Sequence, residues 1–429
     1  MKMTRRDMMK QAGAVAAVGF PSIIPAKVLG QQAPSKMLTL ACVGVGGMGL
    51  SHISQLKAHR DRVRIVAVAD VDIYHQRRAV RQIDEMNGDR SCRMYTDFRE
   101  VTRAPDIDLI AIATPDNWHA LTAIDAIRHG KDVFVEKPLT LTVREGQALV
   151  SELRKHKRIG QTGTMQRSSE AFHHAAELIR NGRLGKIRRI EVLIPANNRH
   201  VGATWKPEAV PEGLDYDFWL GPAPYAPYTS QRTHYQFRYI LDYAGGQTTN
   251  WGAHYLDIAQ WALGMDESGP VEAEGHGVFP SSGLFTAPTR VDVRYTYANG
   301  VTMRMRTRTD GVYDGNIIFY GDQGTLDVSR SKLKSDPEGI LKEKIGAGET
   351  RLYKSRNHFG NWIDCVKSRE LPVSDLAIGH KTTNLCNIGN IAMQLQRRLV
   401  WDPVREMFAG DDMANRMLTR PMRGPWSLA

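Results

Sequence analysis

From residue 37 onward the chain alternates between short, mainly apolar runs and longer stretches with apolar residues on one helical face. The apolar runs are Met37–Val43, Val63–Ala69, Asp108–Ala113 and Val133–Val135. Each has strand length and shows no polar alternation, as expected of a parallel strand covered on both faces. Between and after them a helical period predicts helices over 50–59, 120–129 and 143–157, with Gly130 closing the second. Strand and helix alternating at this spacing predict a doubly wound parallel sheet over residues 36–157.

A second pattern occupies residues 158–429. After a helix predicted over 170–180, several runs alternate apolar and polar positions: 188–194, 290–297, 301–309, 316–320 and 325–328. Ala298-Asn299-Gly300 separates two of them, and Asn-Gly between alternating runs predicts a hairpin. The fold class is therefore α/β throughout. A second domain with a large, open, mainly antiparallel sheet and helices on one face follows the first. Arg304, Arg306 and Arg308 share one face of that sheet, as a solvated surface or a subunit interface would require.

Composition changes this picture little. A chain of 429 residues with 42% hydrophobic and 24% charged residues suits an ordinary two-domain globular protein. The formal charge is +11, and residues 1–30 contribute five Lys/Arg against one Asp. No basic run is interleaved with aromatics, which argues against a nucleic-acid partner. Cys42, Cys92, Cys365 and Cys386 lack metal-ligand spacing and read as free thiols, with no metal site expected. The segment Thr4-Arg5-Arg6-Asp7-Met8-Met9-Lys10, followed by the mildly apolar run Ala12–Phe20, resembles a twin-arginine export signal. That run is too short for a bilayer, which needs about 20 residues. Residues 1–35 are thus read as signal and linker for the twin-arginine export machinery. The expected location is the periplasm, or the inner-membrane surface if the signal stays uncleaved.

Candidate chemistry gathers where the first-domain strands end. Gly44-Val45-Gly46-Gly47-Met48-Gly49 follows a strand and opens a helix, the context in which GxGxxG cradles a dinucleotide pyrophosphate. Asp70 ends the next strand. A carboxylate there accepts from a ribose 2′-hydroxyl and repels a 2′-phosphate, favouring NAD, while nearby Arg77 and Arg78 leave NADP open. The run Val133–Val135 ends in Glu136-Lys137-Pro138. Pro138 disfavours a helical conformation at Lys137, so the lysine points from the strand's end into the ligand crevice.

Gly44-x-Gly46-x-x-Gly49, Ala113-Thr114-Pro115 with His119, and Glu136-Lys137-Pro138, in this order and spacing, resemble the glucose–fructose oxidoreductase/inositol dehydrogenase (Gfo/Idh/MocA) family. The resemblance covers nearly all of the chain after the signal, which narrows it to exported members. It implies a Rossmann domain, a second α/β domain, a nicotinamide cofactor and a sugar or polyol substrate. Thr114, Pro115, Asn117, His119, Glu136, Lys137 and Gln166 would surround the cofactor, and Arg167 would lie near the substrate. A homodimer or homotetramer built on the second sheet is also implied. The family carries a catalytic aspartate with a histidine four residues later; here the pair is Asn250 and His254, which a helix starting near Asn250 puts on one face. An amide can orient an imidazole or a hydroxyl, but it cannot tune the histidine by charge. Asp257 reads as a structural helix residue. The stretch 195–243 has little periodicity and is rich in aromatics, among them Trp205, Trp219 and Tyr235, with Arg238 nearby. A loop this long is usually functional, and its aromatic faces suit a carbohydrate ring.

Hydride transfer from a carbinol carbon needs a group to take the hydroxyl proton, and Lys137 and His254 are the two candidates. Outside the cytoplasm there is little NAD(H) to exchange with, so a tightly bound, recycled cofactor is expected. The main expectation is an NAD(P)-dependent oxidoreductase acting on a sugar, polyol or glycoside. Transient oxidation, elimination and re-reduction would instead cleave a glycoside. A non-catalytic sugar- or cofactor-binding protein is the remaining class, kept open by Asn250.

Overall fold

The computed structural model describes residues 37–197 and 204–428. The signal segment read at residues 1–35 lies outside the described residues.

The mainly apolar runs form the centre of one parallel sheet. Its strands are β1 (Leu38–Val43), β2 (Val63–Ala69), β3 (Arg93–Tyr95), β4 (Leu109–Ile112), β5 (Asp132–Val135) and β6 (Gly160–Thr162), in the order β3-β2-β1-β4-β5-β6. The order reverses between β1 and β4, and ligands bind at the carboxyl ends of strands at such a switch point. The sheet gains two short strands that periodicity missed, and β6 lies beyond Lys157, immediately before Gly163 and the 3-10 turn Met165–Ser168. Helices Gly47–Leu56, Ile73–Asn87, Asp116–Arg128 and Val143–Lys155 flank it. The third begins at Asp116 rather than Ala120, because Pro115 occupies the N-cap position and releases the chain directly into the helix. That shift brings Asp116 and His119 into the first helical turn, over the strand ends.

One face of this sheet is completed from far along the chain. Phe359, Trp362 and Ile363, on the helix His358–Ser368, pack with Leu40, Ile65, Leu109 and Phe134 in one core. The Phe134 and Phe359 rings stack 4.4 Å apart.

The second sheet contains β7 (Ile187–Ile194), β8 (Glu272–Val278), β9 (Arg290–Thr296), β10 (Thr302–Thr307), β11 (Asn316–Gly321), β12 (Thr325–Val328), β13 (Leu333–Asp336), β14 (Leu399–Asp402) and β15 (Met407–Phe408). Its order is β13-β12-β11-β7-β10-β9-β8-β14-β15, antiparallel except for the central β7–β10 pair. The predicted hairpin is β9–β10, with Thr302 opposite Thr296. Val291, Val293, Tyr295, Met303, Met305, Ile317 and Phe319 face one side and bury against Glu170–Arg180, Gly252–Leu263 and Leu376–Leu395. On the other side Arg304 pairs with Asp292 and Arg306 with Glu191, so cross-strand partners neutralise the arginine row within the chain. Arg308 lies past the strand end and pairs with Asp310. All four cysteines are free, and no helix among the described residues is long and apolar enough to cross a membrane.

Candidate active site

The glycine turn opens a cleft of about 360 Å³ at the switch point. Gly44 has φ +77°, and a Cβ on it would meet Thr114 N at 2.6 Å, so only glycine lets β1 pass the end of β4. A Cβ on Gly49 would meet Gly44 O at 2.1 Å, which fixes the close approach of helix to turn. Gly46, Gly47 and Met48 line the cleft, and the space beyond Gly47 is open. Asp70 closes the turn from below: its Oδ2 accepts from Val45 N at 2.7 Å and its Oδ1 from Asp72 N at 2.9 Å. Asp70 lines the cleft, whereas Arg77 and Arg78 are exposed and do not. Thr114 and Pro115 line the opposite wall.

The far wall comes from the second domain, through Phe218, Trp219, His234, Tyr235, Phe237 and Arg238. This segment is pinned to the first domain at several points. Ile73 N donates to Gly213 O and Asp215 N to Val71 O, each at 2.9 Å, and Trp118 Nε1 donates to Trp219 O at 3.1 Å. His234 faces His75 across the mouth with ring centroids 4.7 Å apart, and Asp72 offers a ligand atom within 4.8 Å of theirs. The aromatic stretch therefore closes the dinucleotide cleft and packs on itself, where the sequence suggested a sugar platform. Tyr216, Trp219, Tyr228 and Tyr243 form that core. Trp205 does not reach the cleft; it lies against this cluster beneath the Arg232 guanidinium, 5.1 Å from its ring.

A smaller pocket of about 30 Å³ continues from the cleft and is walled by Asp116, His119, Glu136, Lys137, Thr249 and Asn250. Lys137 Nζ donates to the Asn250 main-chain oxygen at 2.9 Å and to its Oδ1 at 3.5 Å. Burial pushes the lysine's pKa down; Glu136 opposes this and Arg238 reinforces it. Glu136 is itself buried, which favours its neutral form, but His52 Nε2 at 2.9 Å and the Lys137 amide at 3.1 Å hold it below the usual carboxylate range. Asp116 goes the other way. Burial drives its carboxyl up to about 7, against the pull of Arg238 and Lys137. The pocket thus holds an ammonium made more acidic and a carboxyl made more basic.

His119 braces the site. Its Nδ1 lies 2.8 Å from Pro138 O and its Nε2 3.0 Å from Thr114 O, tying two strand ends together. Burial depresses its pKa, and a neutral ring has one N–H to give to those two carbonyls.

Asn250 ends the short helix Gln247–Asn250, and His254 is the third residue of the next, Gly252–Leu263, with a break at Trp251. The single helix expected through both residues is thus interrupted. The amide is committed to the lysine and, through Nδ2 at 3.0 Å, to Gln247 Oε1. His254 is half-buried, and its Nδ1 has no partner among the described residues. Burial, then Lys137 and Arg330, push its pKa well below 6.5, so the ring is neutral at neutral pH.

Arg167 and Asn117 do not stand where the sequence put them. Arg167 is buried, its Nε on Asp257 at 2.8 Å and its terminal nitrogens on Asp266 at 2.7 and 3.0 Å. Asp257 and Asp266 consume its donors, so it locks the turn Met165–Ser168 to the helix Gly252–Leu263 instead of facing substrate. Asn117 Nδ2 donates to Leu220 O at 3.3 Å, binding the far wall rather than lining the cleft. Gln166 is buried with both amide atoms unpaired among the described residues, but it lines neither cavity. Sequence reading missed His52, Asp116 and the placement of Arg238. Asp116, next to Thr114-Pro115, had a local signal; His52 had none.

Comparison with known proteins agrees with this geometry. Residues 38–164 match a family model described as "Oxidoreductase family, NAD-binding Rossmann fold", and residues 197–428 match "Oxidoreductase family, C-terminal alpha/beta domain". A glycosyl hydrolase family 109 protein from Shewanella sp. (strain ANA-3) is 36% identical over 166 residues, covering 34% of this chain and 36% of that protein. An inositol 2-dehydrogenase from Burkholderia cenocepacia (strain HI2424) is 32% identical over 149 residues, covering 34% of this chain and 43% of that protein. The matched region thus spans less than half the length of these relatives. Among solved structures, the WlbA dehydrogenase from Bordetella pertussis, in complex with NADH and UDP-GlcNAcA, superposes with a TM-score of 0.64. It is 17% identical, over 85% of this chain and 99% of that one. A levoglucosan dehydrogenase in complex with NADH also gives 0.64, at 16% identity over 84% of this chain and 98% of that one. At these identities the likeness concerns the fold.

Proposed function

The chain belongs to the Gfo/Idh/MocA oxidoreductase family, and on that premise we propose that it is a nicotinamide-dependent oxidoreductase acting on a carbinol of a sugar, polyol or glycoside. One observation carries this reading. Met48, Ala113, Thr114, Phe237 and Arg238 line both cavities, so the dinucleotide cleft runs straight into the Lys137 pocket. A bound nicotinamide supplies a two-electron acceptor that takes or returns hydride.

The chain's own residues supply the rest. The glycine turn and the helix behind it hold a pyrophosphate, and Asp70 takes the ribose hydroxyls, which favours NAD over NADP. Glu136, on the wall of the adjoining pocket, serves the nicotinamide half. Lys137 fixes the carbinol oxygen, and neutral His254 lies close enough to feel the lysine's charge, though it lines neither cavity. The pinned far wall supports a retained cofactor, in keeping with export of a loaded, folded protein through the twin-arginine route to the periplasm. A homodimer or homotetramer on the open sheet completes the proposal.

The family 109 relatives, and an alpha-N-acetylgalactosaminidase from Shewanella oneidensis 35% identical over 161 residues, favour a second reading: cleavage of a glycoside by transient oxidation with the cofactor recycled. The test is to purify the protein without added nucleotide, quantify the nucleotide released on denaturation, and analyse products from sugars and aryl glycosides. A ketosugar supports the first reading and a free aglycone the second. Neither product from a nucleotide-free protein points to a binding module.

A further inference from the structure

The Lys137 pocket lacks the carboxylate that the motif at residue 250 leads one to expect, and the amide at Asn250 cannot accept a proton. The other groups facing the pocket are committed. Glu136 is held by His52 and the Lys137 amide. Both nitrogens of His119 face main-chain carbonyls. Lys137 already directs its ammonium at two oxygens of Asn250.

Asp116 is different. It is 6% exposed, walls the same pocket, and takes no part in any ion pair within 4.0 Å among the described residues. The hydrogen bond its carboxyl receives there comes from its own amide. It stands on the first turn of Asp116–Arg128, where the helix dipole favours an anion, while Lys137, Glu136 and Arg238 set the remaining field. A buried carboxyl with unused lone pairs, open to the space beside the lysine, has the chemistry of a general base.

We propose that Asp116 is the proton acceptor of this site, a carboxylate supplied from the first domain in place of the one absent at residue 250. The proposal rests on the oxidoreductase reading. In the oxidative direction the substrate O–H bond breaks and its proton passes to the Asp116 carboxylate, giving the neutral acid. The C–H hydrogen leaves with its electron pair to the oxidised nicotinamide, and a C=O bond forms. Reduction runs the same transfers backwards, with Asp116 as the acid.

The experiment compares the intact protein with Asp116→Asn, Asn250→Asp and the double variant, each purified with its retained nucleotide. Three quantities are read: nucleotide per chain, turnover, and the infrared band of a protonated carboxyl across pH without substrate. Asp116→Asn should keep its nucleotide, lose a titrating carboxyl band, and turn over about 10²–10⁴-fold more slowly. Asn250→Asp in that background should restore part of the turnover by returning a carboxylate to the pocket. Near-parental turnover in Asp116→Asn overturns the proposal, as does loss of nucleotide together with turnover, which would make Asp116 a cofactor ligand. A parent protein with neither nucleotide nor turnover overturns the underlying reading instead.

Discussion

Lys137 Nζ lies 2.9 Å from the main-chain oxygen of Asn250, and the two residues come from different domains. The lysine is thus anchored by backbone as well as by the amide, and the anchor survives a change of side chain at 250. The candidate chemistry sits on a seam: strand ends of one domain supply Lys137, Glu136 and Asp116, and the second domain supplies Asn250, His254 and Arg238.

Replacing Lys137 tests the chemical end of the seam. Lys137→Ala leaves the glycine turn, Asp70 and the pinned far wall untouched, so nucleotide should still co-purify. Turnover should fall by about 10²–10³-fold, the range for removing a donor that steadies charge on the reacting oxygen. Nucleotide content and steady-state rate, measured on one preparation, separate this from a structural role, in which both would be lost.

Asn250→Asp puts a negative charge where an oxygen now lies 3.5 Å from Lys137 Nζ. A nearby negative charge raises the pKa of a cation such as Lys137 or His254 and also that of a neighbouring carboxyl such as Asp116. Any of these acting as a base must lose its proton first, so the acidic limb of the pH–rate profile should move to higher pH. Asn250→Ala should shift it far less, because the main-chain contact remains. An unmoved limb in Asn250→Asp would place the titrating base outside this pocket.

Asp70→Ser should weaken discrimination against NADP. The side chain would lose the charge that repels a 2′-phosphate, together with a hydrogen bond to Val45 N. Titration of the nucleotide-stripped variant with NAD and NADP measures the ratio directly. An unchanged ratio would show that another residue reads the ribose.

The buried His358 predicts an acid limb of stability. Its Nε2–H donates to Thr162 O at 2.8 Å and its Nδ1 accepts from Ser168 Oγ at 2.8 Å, a set that suits the neutral ring. Burial, the largest influence, depresses its pKa from 6.5 to about 4. A depressed folded pKa means the unfolded chain binds the proton first as pH falls. Stability is therefore full above about 6.5 and declines toward pH 4, by up to about 3 kcal/mol for this group. His358→Gln, which keeps a donor for Thr162 without titrating, should flatten the fall in thermal midpoint over that window.

What could be read from sequence was what neighbouring residues determine together. The apolar runs, the glycine turn, the Asn299-Gly300 hairpin and the position of Lys137 at a strand end all follow from local pattern. What could not be read depends on partners far along the chain. Arg167 looked substrate-facing until Asp257 and Asp266, 90 and 99 residues on, claimed its donors. His52 meets Glu136 across 84 residues, and the helix His358–Ser368 covers a sheet formed near the other end of the chain. The aromatic stretch looked like a sugar platform because composition records faces, not what they face; Trp219 and Phe237 look into the dinucleotide cleft. Asp116 went unread because periodicity started its helix four residues too late.

The central claim is that a carbinol seated beside Lys137 exchanges hydride with a nicotinamide held in the adjoining cleft. The most direct measurement is isotope transfer within a single turnover. The protein, purified with its retained nucleotide, is mixed with carbon-deuterated sugars and glycosides, then denatured, and the released nicotinamide is weighed by mass spectrometry. Deuterium should appear in the nicotinamide with the intact protein and fail to appear with Lys137→Ala. A retained nicotinamide that takes up no deuterium from any of these substrates, while products still form, would contradict the account.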